Sequence, residues 1–198
     1  MSLSAHTRAP LIVISGPSGV GKTAVVEQVL RSANLPLKRA ITATTRMPRV
    51  AETDGVDYYF WKRERFDLEL AAGRMLETAE YNGNGYGTPL AEVDGERIVL
   101  LVIEVQGAAT VRARYAGDHL SVFLLPPSWE ILEARLRKRG TEDDAKVTGR
   151  LQTARIEWER RNEFDVRLTN DRLGDTVRAL EALIREQFTA RGLSCTTT

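Results

Sequence analysis

Short, uninterrupted apolar runs alternate along this chain with stretches in which apolar residues recur every three or four positions. The apolar runs are typical of strands buried on both faces, and the periodic stretches are typical of amphipathic helices. Strands are predicted at 11–15, 96–107, 120–127 and 164–171. Helices are predicted at 22–33, 128–140 and 173–188. This alternation predicts an α/β fold in which helices cover both faces of a parallel sheet.

Two segments interrupt this alternation. Residues 42–95 are polar, aromatic and glycine-rich, with one short strand predicted at "DYYFW" (57–61), and residues 138–163 are densely charged. Such excursions from a core commonly carry binding groups and lids. We therefore expect a single domain over 1–198, with a binding subdomain at 42–95 and a lid at 138–163. The core is expected to comprise 9–41, 96–137 and 164–190.

Composition and charge narrow the classes of function. The net charge is +1, from 28 basic and 27 acidic residues, which argues against a nucleic-acid partner. No apolar run is long enough to span a bilayer, and the first residues lack the apolar core of a secretory signal. The single cysteine, Cys195, favours a reducing compartment, and we expect a cytoplasmic protein. A monomer and a small homo-oligomer both remain open.

The sequence "GPSGVGKT" follows the first predicted strand and opens the first predicted helix. It matches the pattern G-x-x-x-x-G-K-[ST], in which backbone N–H groups surround the phosphates of a nucleoside triphosphate. Lys22 would reach the β- and γ-phosphates, and the Thr23 hydroxyl would bind Mg²⁺. An ordinary glycine turn is the structural alternative. The predicted ATP-binding residues here are Gly16, Pro17, Ser18, Gly19, Val20, Gly21, Lys22 and Thr23.

The phosphate loop alone does not reveal the reaction, because GTPases, ATP-driven motors and small-molecule kinases share it. Further motifs stand in a fixed order along the chain: "TTRMPR", "DGVDYYF", "GNGYGT" and "RLRKRGT". With these motifs the chain resembles the guanylate kinase family, from about residue 11 to residue 184. The resemblance implies phosphoryl transfer from ATP to GMP, and to dGMP, with Mg²⁺ as cofactor.

Four side chains are candidates for holding the acceptor phosphate. Arg46 and Arg49 can each form forked hydrogen bonds to phosphate oxygens, and Tyr58 and Tyr86 can donate from their hydroxyls. Taken singly, the arginines also fit a solvated surface and the tyrosines a core. The resemblance implies that all four bind the phosphate of GMP.

A carboxylate can distinguish guanine from adenine. Guanine presents two adjacent donors, N1–H and its exocyclic amine, and one carboxylate accepts from both. Adenine lacks this pair and would leave a buried carboxylate unpaired. The resemblance implies that Glu77 is this carboxylate, that Thr42 and Thr88 lie near the base, and that Glu104 faces the nucleotide.

The charged segment and its neighbours carry the remaining candidates. The resemblance implies that Arg135, Arg139 and Arg150 close over the phosphates and that Asn170 lies near the adenine of ATP. Phosphoryl transfer asks the protein mainly for positioning and positive charge. No general base is required, because the acceptor is already an anionic phosphate. The predicted catalytic residues are Lys22, Arg46, Arg135, Arg139 and Arg150.

One position departs from the family pattern. Val102, in "LVIE", replaces an aspartate that would organise water around Mg²⁺. Glu104 is two residues further along the strand and shares its face, so we hypothesise that Glu104 partly substitutes. This departure keeps open the alternative of a catalytically weakened binding module. A kinase for another small phosphorylated acceptor is a second alternative, and Glu77 with Thr88 argues against it in favour of guanine.

Overall fold

The computed structural model describes residues 9–81, 83–115, 119–138 and 144–189. The strands are β1 (Leu11–Ser15), β2 (Leu37–Arg39), β3 (Ala43–Thr44), β4 (Tyr59–Phe60), β5 (Met75–Tyr81), β6 (Asn84–Pro89), β7 (Ile98–Val102), β8 (His119–Leu125) and β9 (Val166–Thr169). The α-helices are α1 (Lys22–Ser32), α2 (Arg63–Ala71), α3 (Val105–Arg114), α4 (Trp129–Lys138), α5 (Asp144–Glu159) and α6 (Leu173–Thr189). Short 3₁₀ helices lie at Leu90–Val93 and Arg160–Glu163.

The central sheet has five strands in the order β2-β7-β1-β8-β9, and every pair in it is parallel. The prediction of an α/β fold is therefore confirmed. Because the strands are parallel, their carboxyl ends meet at one edge of the sheet. The crevice outside that edge is where open α/β sheets bind ligands.

Alternate residues of the central strands enter two separate cores. In β1, Ile12 and Ile14 pack in the core that contains α1 and α6. Leu11 and Val13 pack in the core that contains α3 on the opposite face. Side chains of a strand alternate between faces, so a strand covered on both sides must be apolar throughout. This is the physical origin of the continuous apolar runs in the sequence.

A second, smaller sheet lies within the segment 42–95. Its four strands follow the order β4-β3-β6-β5. The hairpin of β5 and β6 pairs Glu77 with Thr88. The sheet packs on a small apolar cluster of its own that includes Trp61, Phe66 and Met75. The sequence predicted only the strand near residues 59–60 in this segment.

The predicted strands and helices of the core are confirmed with ends that differ by one or two residues, except in one apolar run, and β2 and α3 were not predicted. The apolar run at 96–107 contains two elements, because β7 ends at Val102 and α3 begins at Val105. Val105 is fully buried in the core beneath α3, which keeps the run apolar beyond the end of the strand. In the part of the chain that the structure describes, no helix is both long enough and apolar enough to cross a membrane.

Candidate active site

A cavity of about 350 Å³ lies between the loop after β1 and the second sheet. Its volume is within the range of about 300–1,000 Å³ that is usual for small-molecule sites. We call it the central cavity. Thirteen of the predicted site residues line it: Pro17, Ser18, Gly19, Gly21, Lys22, Thr23, Thr42, Arg46, Arg49, Tyr58, Tyr86, Glu104 and Arg150. The cavity thus brings the phosphate loop together with the four side chains predicted to hold the acceptor phosphate.

The loop between β1 and α1 has a backbone that only glycine adopts easily. Gly16 has a φ of 140°, and a Cβ there would lie 2.4 Å from the carbonyl oxygen of Leu124. Gly21, which precedes α1, has a φ of 102°, and a Cβ there would lie 2.6 Å from the amide nitrogen of Asn170. The loop therefore leaves the sheet and enters the helix at points where a side chain does not fit. Its N–H groups and the start of α1 form an anion-binding concavity.

Lys22 lies across this loop. Its ammonium group donates to the carbonyl oxygens of Gly16, at 2.5 Å, and Pro17, at 3.4 Å. Thr23 lines the cavity one residue further into α1. Val20 is fully buried in the core, so it can contribute only its backbone to a ligand.

Side chains from later in the chain hold the loop. Arg150, on α5, donates to the Ser18 hydroxyl at 2.8 Å. Asn170 is buried and donates from its side-chain amide to the Val20 carbonyl at 2.7 Å. Arg135, on α4, donates to the Asn170 carbonyl at 3.3 Å. Asn170 and Arg135 thus support the loop from outside the lining of the cavity, and Arg139 lies outside the described residues.

Arg46 is fixed by a carboxylate that the sequence analysis did not single out. Its two terminal nitrogens donate to the two oxygens of Glu52 at 2.7 and 2.8 Å. The guanidinium also lies 5.0 Å from the centre of the Tyr58 ring, within cation–π distance. The hydrogen bonds from Arg46 hold the pKa of Glu52 below its usual value. Glu52 accepts from the backbone N–H of Arg49 as well, at 2.7 Å, so one carboxylate organises both predicted phosphate-binding arginines.

Glu77 and Thr88 form a buried pair and, unlike the other predicted acceptor residues, do not line the cavity. The Thr88 hydroxyl donates to Glu77 at 2.7 Å, and both residues are almost entirely inaccessible. Burial raises the pKa of Glu77 to about 7, although the Thr88 hydrogen bonds oppose the shift. Gly107 leaves room for this carboxyl, because a Cβ there would lie 2.1 Å from a Glu77 oxygen. A carboxyl with so little solvation gains strongly from a ligand that donates two hydrogen bonds.

Two further carboxyl groups meet at the loop. Glu104 lines the cavity at the start of α3, and Glu157, on α5, is 2% exposed. Burial, and then the hydrogen bond and the negative charge of Glu104, raise the pKa of Glu157. The backbone N–H of Ser18 and the charge of Lys22 act in the opposite direction. Val102 lines the cavity at the end of β7, so this chain has an apolar group beside its phosphate loop.

The donor set decides what kind of metal site this can be. Among the described residues, no three acidic, histidine or cysteine side chains form a group that could hold a metal ion. The Thr23 hydroxyl and the Glu104 carboxylate do line the cavity. These hard oxygen donors fit Mg²⁺ that arrives with the phosphates of a nucleotide and keeps several waters. They do not fit a metal that the protein coordinates alone.

Five polar or charged residues at the cavity or the loop were not predicted from the sequence: Arg39, Glu52, Asp57, Tyr81 and Glu157. Glu157 lies seven residues after Arg150, which places both on the same face of a helix, and this spacing was a usable signal. Tyr81 lies four residues after Glu77, so the two share one face of a strand. Arg39 ends a strand of only three residues and carried no signal in the sequence.

Comparisons with known proteins identify the family of this chain. The family model described as guanylate kinase matches residues 8–187. The chain is 46% identical over 191 residues to a guanylate kinase from Streptomyces kasugaensis, which covers 94% of this chain and 92% of that protein. It is 47% identical over 178 residues to a guanylate kinase from Thermobifida fusca, covering 88% of this chain and 90% of that protein.

Solved structures give the same result. The crystal structure of guanylate kinase from Anaplasma phagocytophilum superposes with a TM-score of 0.75 at 29% identity, covering 91% of this chain and 86% of that one. A gluconokinase from Sinorhizobium meliloti superposes with a TM-score of 0.51 at 19% identity, covering 93% of this chain and 98% of that one, which indicates a shared fold alone. The matched family model covers nearly the whole chain, and on that ground the chain belongs to the guanylate kinase family.

Proposed function

We propose that this protein transfers the γ-phosphoryl group of ATP directly to the phosphate of GMP, and to that of dGMP, giving ADP and GDP or dGDP. The observation that carries the proposal is the central cavity, which is lined both by a phosphate loop and by an arginine that a carboxylate holds in place. The relatives' common name, guanylate kinase, supports the same reaction.

On the donor side, the loop N–H groups and the start of α1 bind the phosphates of ATP. Lys22 moves its ammonium group from the loop carbonyls to the β- and γ-phosphates. Arg150 reaches the same place from α5, because it already contacts the Ser18 hydroxyl. Both cations oppose the negative charge that spreads over the transferred group in the transition state.

On the acceptor side, Arg46 and Arg49 bind the phosphate of GMP, with hydroxyl donors from Tyr58 and Tyr86. The pair of hydrogen bonds that Arg46 donates to Glu52 fixes the plane of its guanidinium before the substrate arrives. A fixed plane lowers the entropy lost when the acceptor phosphate binds. No base is needed on this side.

Glu77 reads the guanine base in this proposal. Its carboxylate accepts from N1–H and from the exocyclic amine, while Thr88 and Thr42 supply hydroxyls beside it. AMP would leave this buried carboxyl without its donors. Exclusion of AMP then follows from the cost of an unpaired buried polar group.

We assign Mg²⁺ to the donor nucleotide, with the Thr23 hydroxyl and the neighbouring Glu104 as the protein groups beside it. When bound, the ion neutralises charge on the β- and γ-phosphates. Arg135, Arg139 and Asn170 complete the proposed site through the loop and the lid. We keep the division into core, acceptor subdomain (42–95) and lid (138–163), the cytoplasm as location, and a monomer or small homo-oligomer as predictions.

The alternative of a binding module without activity is not favoured, because Lys22, Thr23 and Arg46 all line the cavity. A kinase for another phosphorylated acceptor would have no use for the buried pair of Glu77 and Thr88.

A single assay tests the proposal. ADP formation is measured from ATP and Mg²⁺ with GMP, dGMP, AMP, UMP or CMP as the acceptor. We expect turnover with GMP and dGMP and at least about 100-fold lower efficiency with AMP. If nucleotides bind but none of these acceptors is phosphorylated, the proposed activity is overturned. Equal turnover with AMP would overturn the role of Glu77.

A further inference from the structure

Tyr81, the last residue of strand β5, has a hydroxyl with no hydrogen-bond partner in the part of the chain that the structure describes. The side chain lines the central cavity, yet the hydroxyl oxygen is buried and has no hydrogen bond to any described residue. A buried hydroxyl without a partner is destabilising, because folding removes its hydrogen bonds to water and supplies no others. Such a group in a cavity wall is accounted for if a ligand completes its hydrogen bonding.

The position of Tyr81 indicates which part of a ligand it meets. Glu77 and Tyr81 lie on the same face of β5, about 13 Å apart along the strand. Glu77 is at the proposed base end of the acceptor, so Tyr81 lies well towards its phosphate end. Tyr81 contacts Tyr86 edge to face, with ring centres 6.2 Å apart, and Tyr86 contacts Tyr58 in the same way at 6.2 Å. The three rings form a row that begins at Tyr58, against the Arg46 guanidinium, and ends at Tyr81.

Tyr81, at the other end of this row, lies near charged groups of the proposed donor side. The charges that act on the Tyr81 hydroxyl are those of Glu104, Glu157 and Arg150. Arg150 in turn holds Ser18 of the phosphate loop. Tyr81 therefore lies between the groups proposed to hold the acceptor phosphate and those proposed to hold the donor phosphates. Burial and the two carboxyl groups raise the pKa of Tyr81 to about 12, so the hydroxyl keeps its proton at neutral pH and remains a donor.

We propose that the Tyr81 hydroxyl donates a hydrogen bond to the phosphoryl group in transfer, as a further catalytic residue. This inference rests on the proposed function. Only when both nucleotides are bound does an oxygen of the transferred group enter the space between Tyr86 and Arg150. The contact is then made mainly in the transition state, where the transferred oxygens carry the developing charge.

Tyr81→Phe tests the inference, because it removes the hydroxyl and keeps the ring. We expect kcat to fall about tenfold while the KM values for GMP and ATP stay within about twofold. An analogue that joins adenosine and guanosine through a polyphosphate fills the transfer position, and its Kd should rise about tenfold in calorimetry. The Kd values of ADP alone and GMP alone should not change. The melting temperature of the nucleotide-free variant should equal or exceed that of the wild type, since an unpaired buried group is lost.

Tyr59→Phe is the matched control. It removes a hydroxyl from the same small sheet, but that hydroxyl donates to Glu92 at 2.8 Å and the residue does not line the cavity. It should lower the melting temperature and leave the kinetics unchanged.

Three results separate the outcomes. A kcat of Tyr81→Phe within twofold of the wild type overturns the inference, and so does a rise confined to the KM for GMP, which would mean a contact with the acceptor alone. A wild-type protein that does not turn over GMP would instead overturn the proposed function itself.

Discussion

The two sides of the central cavity are built in different ways. The proposed donor side is one continuous stretch, residues 16–23, and it offers chiefly backbone N–H groups, whose positions the glycines permit. The acceptor side is assembled from side chains of separate segments. Arg46 follows β3, Glu77 is on β5, and Thr88 is on β6. Each of these side chains is held by another, as Arg46 is by Glu52 and Glu77 by Thr88.

This difference predicts which substitutions each side of the cavity tolerates. A backbone site tolerates changes in most of its side chains but not in its glycines. A side-chain site depends on the residues that orient its contacts, so a residue that never touches the substrate can still control binding. The donor side should therefore be sensitive at a few positions, and the acceptor side at many.

Lys22→Met should have the largest effect. Lys22 is the one long cation that the loop itself supplies, and no backbone group can replace its charge on the transferred phosphate. We expect kcat/KM to fall about 10³-fold, with normal folding by circular dichroism. Lys38→Met is the control, because Lys38 donates to the carbonyl of Asp94 and does not line the cavity. A loss of less than tenfold for Lys22→Met would remove Lys22 from the chemistry.

Arg46→Ala and Glu52→Gln test the acceptor side. We expect Arg46→Ala to lower kcat/KM for GMP about 100-fold, mainly through KM. Glu52→Gln keeps Arg46 but weakens the hydrogen bonds that orient its guanidinium. We expect this variant to lower kcat/KM for GMP about tenfold. The KM for ATP should not change in either variant.

The control for Glu52→Gln is Glu69→Gln, which breaks the exposed ion pair with Arg74. Exposed pairs contribute little, so this variant should behave as the wild type. Equal effects of Glu52→Gln and Glu69→Gln on the KM for GMP would show that Glu52 does not position Arg46.

Glu77→Gln tests how the base is read. An amide has one acceptor oxygen and places an N–H donor against a donor of guanine. The transition-state stabilisation calculated from kcat/KM for GMP should therefore fall by about 1–3 kcal/mol. The ratio of GMP to AMP efficiency should fall with it. Unchanged kinetics would remove Glu77 from the proposed role.

The pH dependence sharpens this test. The pKa of Glu77 is raised from 4.5 to about 7, so between these values the folded protein holds a proton that the unfolded chain has lost. The contribution of Glu77 to stability is therefore lost as pH rises through this window. GMP favours the ionised form, so its affinity should rise with pH up to about 7 as a proton is released.

Calorimetry in buffers of different ionisation enthalpy measures that proton. The phosphate of GMP also titrates near pH 6, so the quantity to compare is the difference between the wild type and Glu77→Gln. Equal proton release in the two proteins would contradict the assignment of the raised pKa to Glu77.

Val102→Asp should have the smallest effect. If Glu104 partly substitutes for the missing carboxylate, restoring it should lower the Mg²⁺ concentration for half-maximal rate by about threefold. Glu104→Gln should raise that concentration, and Val102→Asn controls for shape without charge. Calorimetric titration of ATP at several Mg²⁺ concentrations gives a readout apart from turnover. No change in Mg²⁺ affinity or rate for Val102→Asp would show that the hypothesis about Glu104 is wrong.

Prediction from sequence succeeded where the signal is local. The strand, loop and helix from Leu11 to Ser32 follow from adjacent residues, and the alternating packing of β1 explains why that signal is strong. The second sheet was nearly invisible because its strands β3 and β4 are two residues long. Too few residues alternate in such strands to reveal a period.

The sequence by itself determined the chemical type of each group: a glycine loop of the phosphate-binding pattern, arginines that can form forked hydrogen bonds, and a carboxylate predicted to bind guanine. The tertiary structure alone decided which groups act on each other. It joined Glu52 to Arg46, Glu157 to Glu104 and Asn170 to the loop, and it left the Tyr81 hydroxyl without a partner among the described residues. The reason is that burial and partner choice depend on residues far apart in the chain. Those residues meet only when the two sheets pack against the loop.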